Sequence, residues 1–104
     1  MKLNHVVIGD PVEEVAQASS VRCARFANGT SLATTGADFL KKVKKHKPEL
    51  VLLSLELLRP NATEVATKLR KKYPKTLIIG TYRELAVPTV EKLRPLGISF
   101  FIPH

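Results

Sequence analysis

A short run of consecutive apolar residues, at positions 50–53, most constrains the fold of this 104-residue chain. Pro48 precedes the run, and Ser54 and Glu56 close it. The apolar residues do not alternate with polar ones, and the run is far too short to span a membrane. Such a segment is typical of a strand buried on both faces of a parallel sheet. The sequence therefore predicts a parallel α/β fold with this strand at its centre.

Further strand and helix patterns alternate on both sides of the central strand. Strands are predicted at 3–8, 30–35, 76–81 and 97–102, and helices at 11–27, 36–47, 62–73 and 85–94. Because strand-helix-strand crossovers are right-handed, this alternation predicts a doubly wound five-stranded parallel sheet with strand order 2-1-3-4-5. The length predicts one domain, spanning residues 1–104.

Particular residues set the expected ends and faces of these elements. Asp10 is predicted to be the N-cap of the first helix, and Asn28 with Gly29 to end that helix in a left-handed turn. The β-branched segment at 30–35 is predicted to be an edge strand. The expected core face of the fourth helix consists of Val87, Val90 and Leu93.

The predicted helices do not cover the two faces of the sheet equally. In this strand order, the helices after strands two, three and four lie on one face, and only the first helix lies on the other. The pattern lacks a terminal helix that would complete the second layer. Since the third, fourth and fifth strands are apolar on both sides, the second face should expose an apolar patch. We expect a protein partner, self-association into a dimer, another segment or a rearranged first helix to cover it.

Composition limits the class of protein and its compartment. The chain is 44% hydrophobic and 25% charged, as in soluble globular proteins. No secretory signal or membrane-spanning segment is recognisable, which predicts a cytoplasmic protein without membrane contact. Cys23 is the single cysteine, so an intrachain disulfide and a cysteine metal site are excluded. We expect no cofactor and no metal.

Two stretches carry a family resemblance. Residues 36–54 combine a helix that begins at glycine with Lys-Pro-Glu-Leu-Val-Leu-Leu-Ser, and residues 97–104 read Gly-Ile-Ser-Phe-Phe-Ile-Pro-His. They resemble the receiver domain of bacterial response regulators, in which the corresponding stretches are Lys-Pro-Asp-Leu-Val-Leu-Leu-Asp and Gly-x-x-Gly-Phe-Ile-Pro-Lys. Residues 6–10 and 76–81 are similar to its first and fourth strands. The resemblance implies a flavodoxin-like fold and a role in signalling or transcription control.

The resemblance also implies a phosphorylation site, which this chain lacks in large part. A receiver uses an acidic pair to hold Mg²⁺, an aspartate as phosphoacceptor, a Thr or Ser, and a Lys. Here Gly9 and Asp10 leave one carboxylate of the pair, Ser54 stands at the acceptor position, Thr81 matches, and His104 stands where the Lys would be. Aspartyl phosphorylation by the usual route is therefore not expected. The residues of this degenerate pocket are Asp10, Ser54, Glu56, Thr81 and His104.

Other ligand-binding α/β folds are not supported by their motifs. Cobalamin-binding domains look similar in alternation but carry Asp-x-His-x-x-Gly after the first strand, where this chain has no histidine. The sequence contains neither of the two glycine-rich nucleotide-binding motifs, Gly-x-Gly-x-x-Gly and Gly-x-x-x-x-Gly-Lys-Ser/Thr. A metal site built from His5, His46 and His104 is excluded, because His46 and His104 fall at opposite ends of the predicted sheet. We therefore expect no enzymatic activity.

The net charge of +8 arises from 17 basic and 9 acidic residues. Ten of the basic residues fall in two blocks at the C-terminal ends of two helices that both run back along the sheet, which predicts one basic end opposite the degenerate pocket. Cations stabilise helix C-termini by roughly 0.3–1 kcal/mol, and such a cluster also suits an anion or nucleic acid. The residues of the basic end are Lys41, Lys42, Lys44, Lys45, Lys47, Lys68, Arg70, Lys71, Lys72 and Lys75.

Two functions from different classes follow from the sequence. The first is a phosphorylation-independent pseudo-receiver, a protein-interaction module whose scaffold is retained and whose site is degenerate. The alternative is a small basic nucleic-acid-binding protein on the same scaffold, with an affinity that falls steeply with salt.

Overall fold

The sheet has the strand order expected from the sequence. The computed structural model describes residues 2–84, 87–98 and 100–103, and its five parallel strands lie in the order 2-1-3-4-5. The elements are β1 (Leu3–Gly9), α1 (Glu13–Cys23), β2 (Ala27–Ala33), α2 (Gly36–His46), β3 (Leu50–Ser54), α3 (Ala62–Lys72), β4 (Leu77–Tyr82), α4 (Val87–Leu93), a 3-10 turn (Arg94–Leu96) and β5 (Phe100–Pro103). The doubly wound, flavodoxin-like α/β fold is confirmed. Within the described residues, no helix has the length and apolarity needed to cross a membrane.

Strand β3 lies at the centre of the sheet and is buried along its whole length. It pairs with β1 on one side and with β4 on the other. Because successive side chains point to opposite faces, Val51 and Leu53 enter one core and Leu50 and Leu52 enter the other. The apolar run that predicted this strand therefore fills both layers of the fold.

The two cores differ in how many helices build them. Helices α2, α3 and α4 pack on one face, where their apolar residues meet Val51 and Leu53. On the other face, α1 is the helix that contributes, through Ala16 and Cys23. The helix residues of the first core are Phe39, Val43, Ala62, Val65, Ala66, Leu69 and Leu93. Coverage by the described elements is therefore unequal, as the helix count predicted.

The first helix and the second strand differ from their predicted bounds. Helix α1 ends at Cys23 rather than near residue 27, and β2 begins at Ala27 rather than residue 30. Asn28 and Gly29 therefore lie within a strand and do not cap a helix, because β2 pairs with β1 from Leu3 onward. Packing favours glycine at position 29, since a Cβ there would lie 2.9 Å from Nδ1 of His5 and the His5 ring would have to shift.

The C-terminal part of the chain also differs in detail from the sequence-based expectation. Val87 begins α4 but is exposed, so its predicted inward position is wrong, whereas Val90 and Leu93 are buried as expected. The last strand begins at Phe100 instead of residue 97, because Gly97 has a φ of 84° and ends the 3-10 turn. Leu85, Ala86, Ser99 and His104 lie outside the described residues.

We predict that Gly36→Ala destabilises the fold. A Cβ at Gly36 would lie 2.2 Å from the carbonyl oxygen and 2.8 Å from the nitrogen of Pro60, both backbone atoms in the loop before α3. That loop is tied to the start of α2, since the Gly36 N–H donates to the Leu58 carbonyl at 2.8 Å. Overpacking of this kind costs about 1–3 kcal/mol. Urea unfolding measures the loss, and Ala37→Ser, an exposed neighbour, should change stability by under about 0.5 kcal/mol.

We also predict that His5 makes stability depend on pH. Burial, and secondarily the neighbouring His46, lower the pKa of His5 below its usual 6.5. The two rings stack with centroids 3.8 Å apart, and Nε2 of His5 lies 2.8 Å from Oγ of Ser31. The unfolded chain therefore binds the proton more readily, so the stability contributed above about pH 6.5 is lost as pH falls below that value.

Replacing the ring by His5→Gln should reduce this pH dependence. The free energy of unfolding, measured in urea between about pH 7.5 and pH 5.5, should fall less steeply for the variant than for the wild type. Equal slopes for the two proteins would contradict the assignment to His5.

Candidate functional site

Three residues of the degenerate pocket lie in one row at the carboxyl edge of the sheet. Ser54 ends β3 and is paired in register with Thr81 of β4, while Asp10 follows β1 directly after Gly9, the partner of Leu53. All three residues are buried. The structure therefore brings together Asp10, Ser54 and Thr81, as expected from strands that end at the same edge.

Asp10 shapes the turn between β1 and α1. Its Oδ1 accepts a hydrogen bond from the N–H of Val12 at 2.8 Å, and its own N–H donates to the carbonyl of Ala33 at 3.0 Å. The N-cap of α1 is Val12, which makes no side-chain cap hydrogen bond, so the predicted N-cap role of Asp10 is wrong. An Asp side chain that accepts from the N–H two residues on is a common turn device.

Ser54 is fully buried and contributes to the turn after β3. Its Oγ accepts a hydrogen bond from the N–H of Glu56 at 3.2 Å, and its carbonyl accepts one from Leu57 at 3.2 Å. The adjacent Leu55 N–H donates to the carbonyl of Thr81 at 2.8 Å. The neutral hydroxyl of Ser54, at the phosphoacceptor position, therefore supports the backbone of the turn.

Glu56 follows in the same turn, and His104 lies outside the described residues. The Glu56 side chain is partly buried, with its Oε2 atom shielded from solvent. The sequence did not determine the direction of this side chain, since it belongs to a loop.

The pocket does not fit the Mg²⁺ site that a receiver fold implies. Mg²⁺ requires hard oxygen ligands in octahedral geometry, usually including carboxylates. Position 9 has no room for one, because a Cβ on Gly9 would lie 2.4 Å from Cδ1 of Phe39 and 3.0 Å from Cδ2 of Leu57. Ser54 supplies no carboxylate. The described residues contain no cluster of three or more His, Cys, Asp or Glu side chains that could hold a metal ion.

Part of the predicted basic end forms a groove between α2 and α3. The groove has a volume of about 470 Å³, and we call it the α2–α3 groove. Its lysines come from both helices, and its apolar floor consists of Ala37 and Leu40 from α2 and of Tyr73, which follows α3. The lining residues are Ala37, Leu40, Lys41, Lys44, Lys68, Lys71, Lys72 and Tyr73.

Two residues of the predicted basic end have internal roles instead. Lys42 donates to the carbonyl of Leu32 and forms a 2.9 Å ion pair with Asp38. Arg70 is bound to backbone carbonyls through its guanidinium, with Nε 2.6 Å from the Leu96 oxygen and Nη1 2.8 Å from the Thr76 oxygen. The ten residues therefore do not form one uniform surface. Lys45, Lys47 and Lys75 are exposed but do not line the groove.

A second groove lies on the opposite face of the sheet, between α1 and β5. We call it the sheet-face groove; its volume is about 220 Å³, and its wall on the α1 side includes Cys23 and Phe26. Phe100 and Ile102 belong to this face because their register partners are Ile79 and Thr81. Four large apolar side chains on this side are 42–62% exposed, namely Phe26, Leu77, Phe100 and Ile102.

The sheet-face groove shows where the described helices leave the sheet open. Helix α1 packs against β1 and β2, so it does not extend over the β4–β5 side. Thr81 lines the groove, and Ser54 lies next to it in the register. The degenerate pocket and the open apolar face are therefore contiguous, a link that the separate sequence arguments missed. Strand alternation is the signal that could have revealed it, since Leu52 and Ser54 share a face.

Comparison with known proteins identifies the fold. No family model and no curated protein sequence matches the chain. Among solved structures, a LuxR-family two-component response regulator from Aurantimonas sp. SI85-9A1 is similar, with 14% identity over 99% of this chain and 74% of that chain and a TM-score of 0.86.

Two further solved structures are similar over nearly the whole chain. A CheY-like receiver domain protein from Methanospirillum hungatei JF-1 has 19% identity over 98% of this chain and 82% of that one, with a TM-score of 0.83. The chemotaxis protein CheY4 of Vibrio cholerae has 16% identity over 95% and 84% of the two chains, with a TM-score of 0.84. The chain therefore has the fold of response regulator receiver domains.

Proposed function

We propose that this chain is a phosphorylation-independent pseudo-receiver that acts as a protein-interaction module in signalling or transcription control. The observation that carries the proposal is the residue at the phosphoacceptor position, Ser54. Its neutral hydroxyl is fully buried and accepts a hydrogen bond from the Glu56 N–H. A neutral hydroxyl is a weaker nucleophile toward phosphorus than an ionised carboxylate, and it cannot form the acyl phosphate that an aspartate forms. The proposed module works in the cytoplasm, without enzymatic activity.

Support for the proposal comes from the contrast between scaffold and site. The receiver fold is complete across the five strands, and their order and register are regular. At the carboxyl edge, Gly9 is packed against Phe39 and leaves no space for a second carboxylate beside Asp10. The fold can therefore present surfaces to a partner while the phosphoryl chemistry is lost.

We predict that the chain binds neither phosphoryl groups nor their analogues at Ser54. Incubation with Mg²⁺ and acetyl phosphate should add no mass to the protein, and beryllofluoride with Mg²⁺ should give no bound fluorine NMR signal. Ser54→Asp should not restore binding, because position 9 still lacks a carboxylate. A receiver domain with its aspartate intact is the positive control. Stoichiometric beryllofluoride binding by the wild type would contradict the proposal.

The sheet-face groove supports a role in association. Apolar patches on soluble proteins mark interaction sites when they exceed a few hundred Å². Here Phe26 and Ile102 stand on opposite sides of a groove whose floor includes Leu52 and Ile79. We propose that this face binds a second copy or another protein.

We predict that the chain self-associates through this face. Light scattering coupled to size exclusion should give a mass above that of one chain, rising with concentration, because association removes Phe26 and Ile102 from water. Phe26→Ser combined with Ile102→Ser should return it to the monomer. The control pair Leu58→Ser and Val87→Ser changes apolar residues that are more exposed than Phe26 and Ile102 but lie outside the groove, and it should leave the mass unchanged. A wild-type monomer at every concentration would rule out self-association.

Nucleic-acid binding is the alternative function, and the five lysines of the α2–α3 groove favour it. Single strands bind best where aromatic rings stack on bases beside the cations. Tyr73 is the aromatic residue of this groove among the described residues, and its side chain is only partly exposed. The composition of the groove therefore supports nucleic-acid binding less well than it supports a partner with an apolar surface.

A further inference from the structure

The lysines of the α2–α3 groove are not accounted for by helix stability. Cations favour the last turn of a helix, where Lys44, Lys71 and Lys72 lie. Lys41 and Lys68 lie one turn earlier, three residues before Lys44 and Lys71, respectively. Like charges at this spacing repel one another on a helix. Helix stability alone therefore does not explain the placement of Lys41 and Lys68.

No described acidic residue neutralises this cluster. The five groove lysines form no salt bridge with any described residue, and the acidic residue of α2, Asp38, is paired with Lys42 instead. Glu64, in the first turn of α3, does not line the groove. The positive charge is therefore available to an external anion.

The floor of the groove defines the ligand further. Leu40 and Tyr73 are partly buried against the core, and Ala37, three residues before Leu40 on α2, is exposed. Helices α2 and α3 both return along the sheet, and each contributes lysines to the groove over about one helical turn, roughly 5–6 Å along its axis. An apolar floor with cationic rims on both sides complements a helix that has an apolar stripe flanked by carboxylates.

We propose that the α2–α3 groove binds an acidic amphipathic helix of a partner protein. The apolar stripe of that helix packs on Ala37, Leu40 and Tyr73, and its flanking Glu or Asp residues pair with Lys41 and Lys44 on one rim and with the lysines of α3 on the other. A second copy of this chain does not fit as the occupant, since its net charge of +8 opposes approach to this surface. A nucleic-acid duplex is convex and polar, and it would leave the apolar floor unmatched.

This inference rests on the proposed function only in requiring a protein partner. Binding in the α2–α3 groove involves neither Ser54 nor the sheet-face groove. The linings of the two grooves have no residue in common. A failed peptide titration would therefore leave the beryllofluoride result unaffected, and the reverse also holds.

The test is a fluorescence anisotropy titration with synthetic peptides. The probe is a labelled helical peptide with a leucine stripe flanked on both sides by glutamates. One control peptide has the same composition in scrambled order, and another replaces the glutamates by lysines. We expect the probe to bind at physiological salt, the scrambled peptide to bind at least about tenfold more weakly, and the lysine peptide not to bind.

Variants locate the binding site. Lys44→Glu combined with Lys71→Glu should weaken binding of the probe by about tenfold or more. Ala37→Glu should weaken it as well, because this exposed position in the first turn of α2 tolerates an acid and lies in the groove floor. Lys45→Glu combined with Lys92→Glu makes the same change of net charge outside the groove and should leave the affinity within about twofold. Circular dichroism confirms that each variant is folded.

Three outcomes would overturn the inference. Equal binding of the probe and the scrambled peptide would show attraction by charge alone. An equal loss of affinity in Lys44→Glu/Lys71→Glu and in the control Lys45→Glu/Lys92→Glu would place the binding site outside the groove. A labelled oligonucleotide that binds more tightly than the probe, loses affinity in Lys44→Glu/Lys71→Glu and shows a steep salt dependence would assign the groove to nucleic acid.

Discussion

The burial of β3 on both faces is the constraint on which the rest of the structure depends. Burying each of its leucines contributes roughly 1.5–3 kcal/mol, provided that a second layer covers it. Val51 and Leu53 are covered by α2 and α3, but Leu50 and Leu52 face the layer to which α1 contributes. Since α1 packs over β1 and β2, the β4–β5 side keeps the sheet-face groove. The open surface is thus a consequence of strand order and helix placement.

The same strand explains how the scaffold would persist under the proposed loss of phosphoryl chemistry. The core depends on residues in the interior of the strands, whereas the chemistry of a receiver depends on residues at their ends. The hydroxyl of Ser54 accepts the Glu56 N–H, and Phe39 occupies the space beside Gly9. Both positions are filled and buried in the described structure, so the fold would lose little if the phosphorylation site were lost as proposed.

Sequence patterns predicted the fold where a single physical requirement dominates, as in the doubly buried strands and their order. They failed where two requirements compete. Asn28 and Gly29 resemble a helix end, but pairing with β1 extends β2 through them and Gly29 makes room for the ring of His5. The positions of two long cationic side chains were also predicted wrongly. Lys42 and Arg70 donate to backbone carbonyls, and the position of a residue on its helix does not reveal such contacts. The α2–α3 groove joins residues from two helices, so neither helix pattern alone could show its apolar floor.

The two grooves lie on opposite sides of the sheet, and the two binding events proposed for them would be coupled through charge. If two copies associate at the sheet-face groove as proposed, each carries +8, and their association must overcome repulsion that weakens with distance over a Debye length of about 8 Å at physiological salt. An acidic helix in the α2–α3 groove would neutralise part of that charge without occupying the apolar face. Because binding free energies are linked reciprocally, binding of the helix would favour association of the two copies. Association would in turn strengthen binding of the helix. Such coupling requires only the net charge of the protein, and no phosphoryl group.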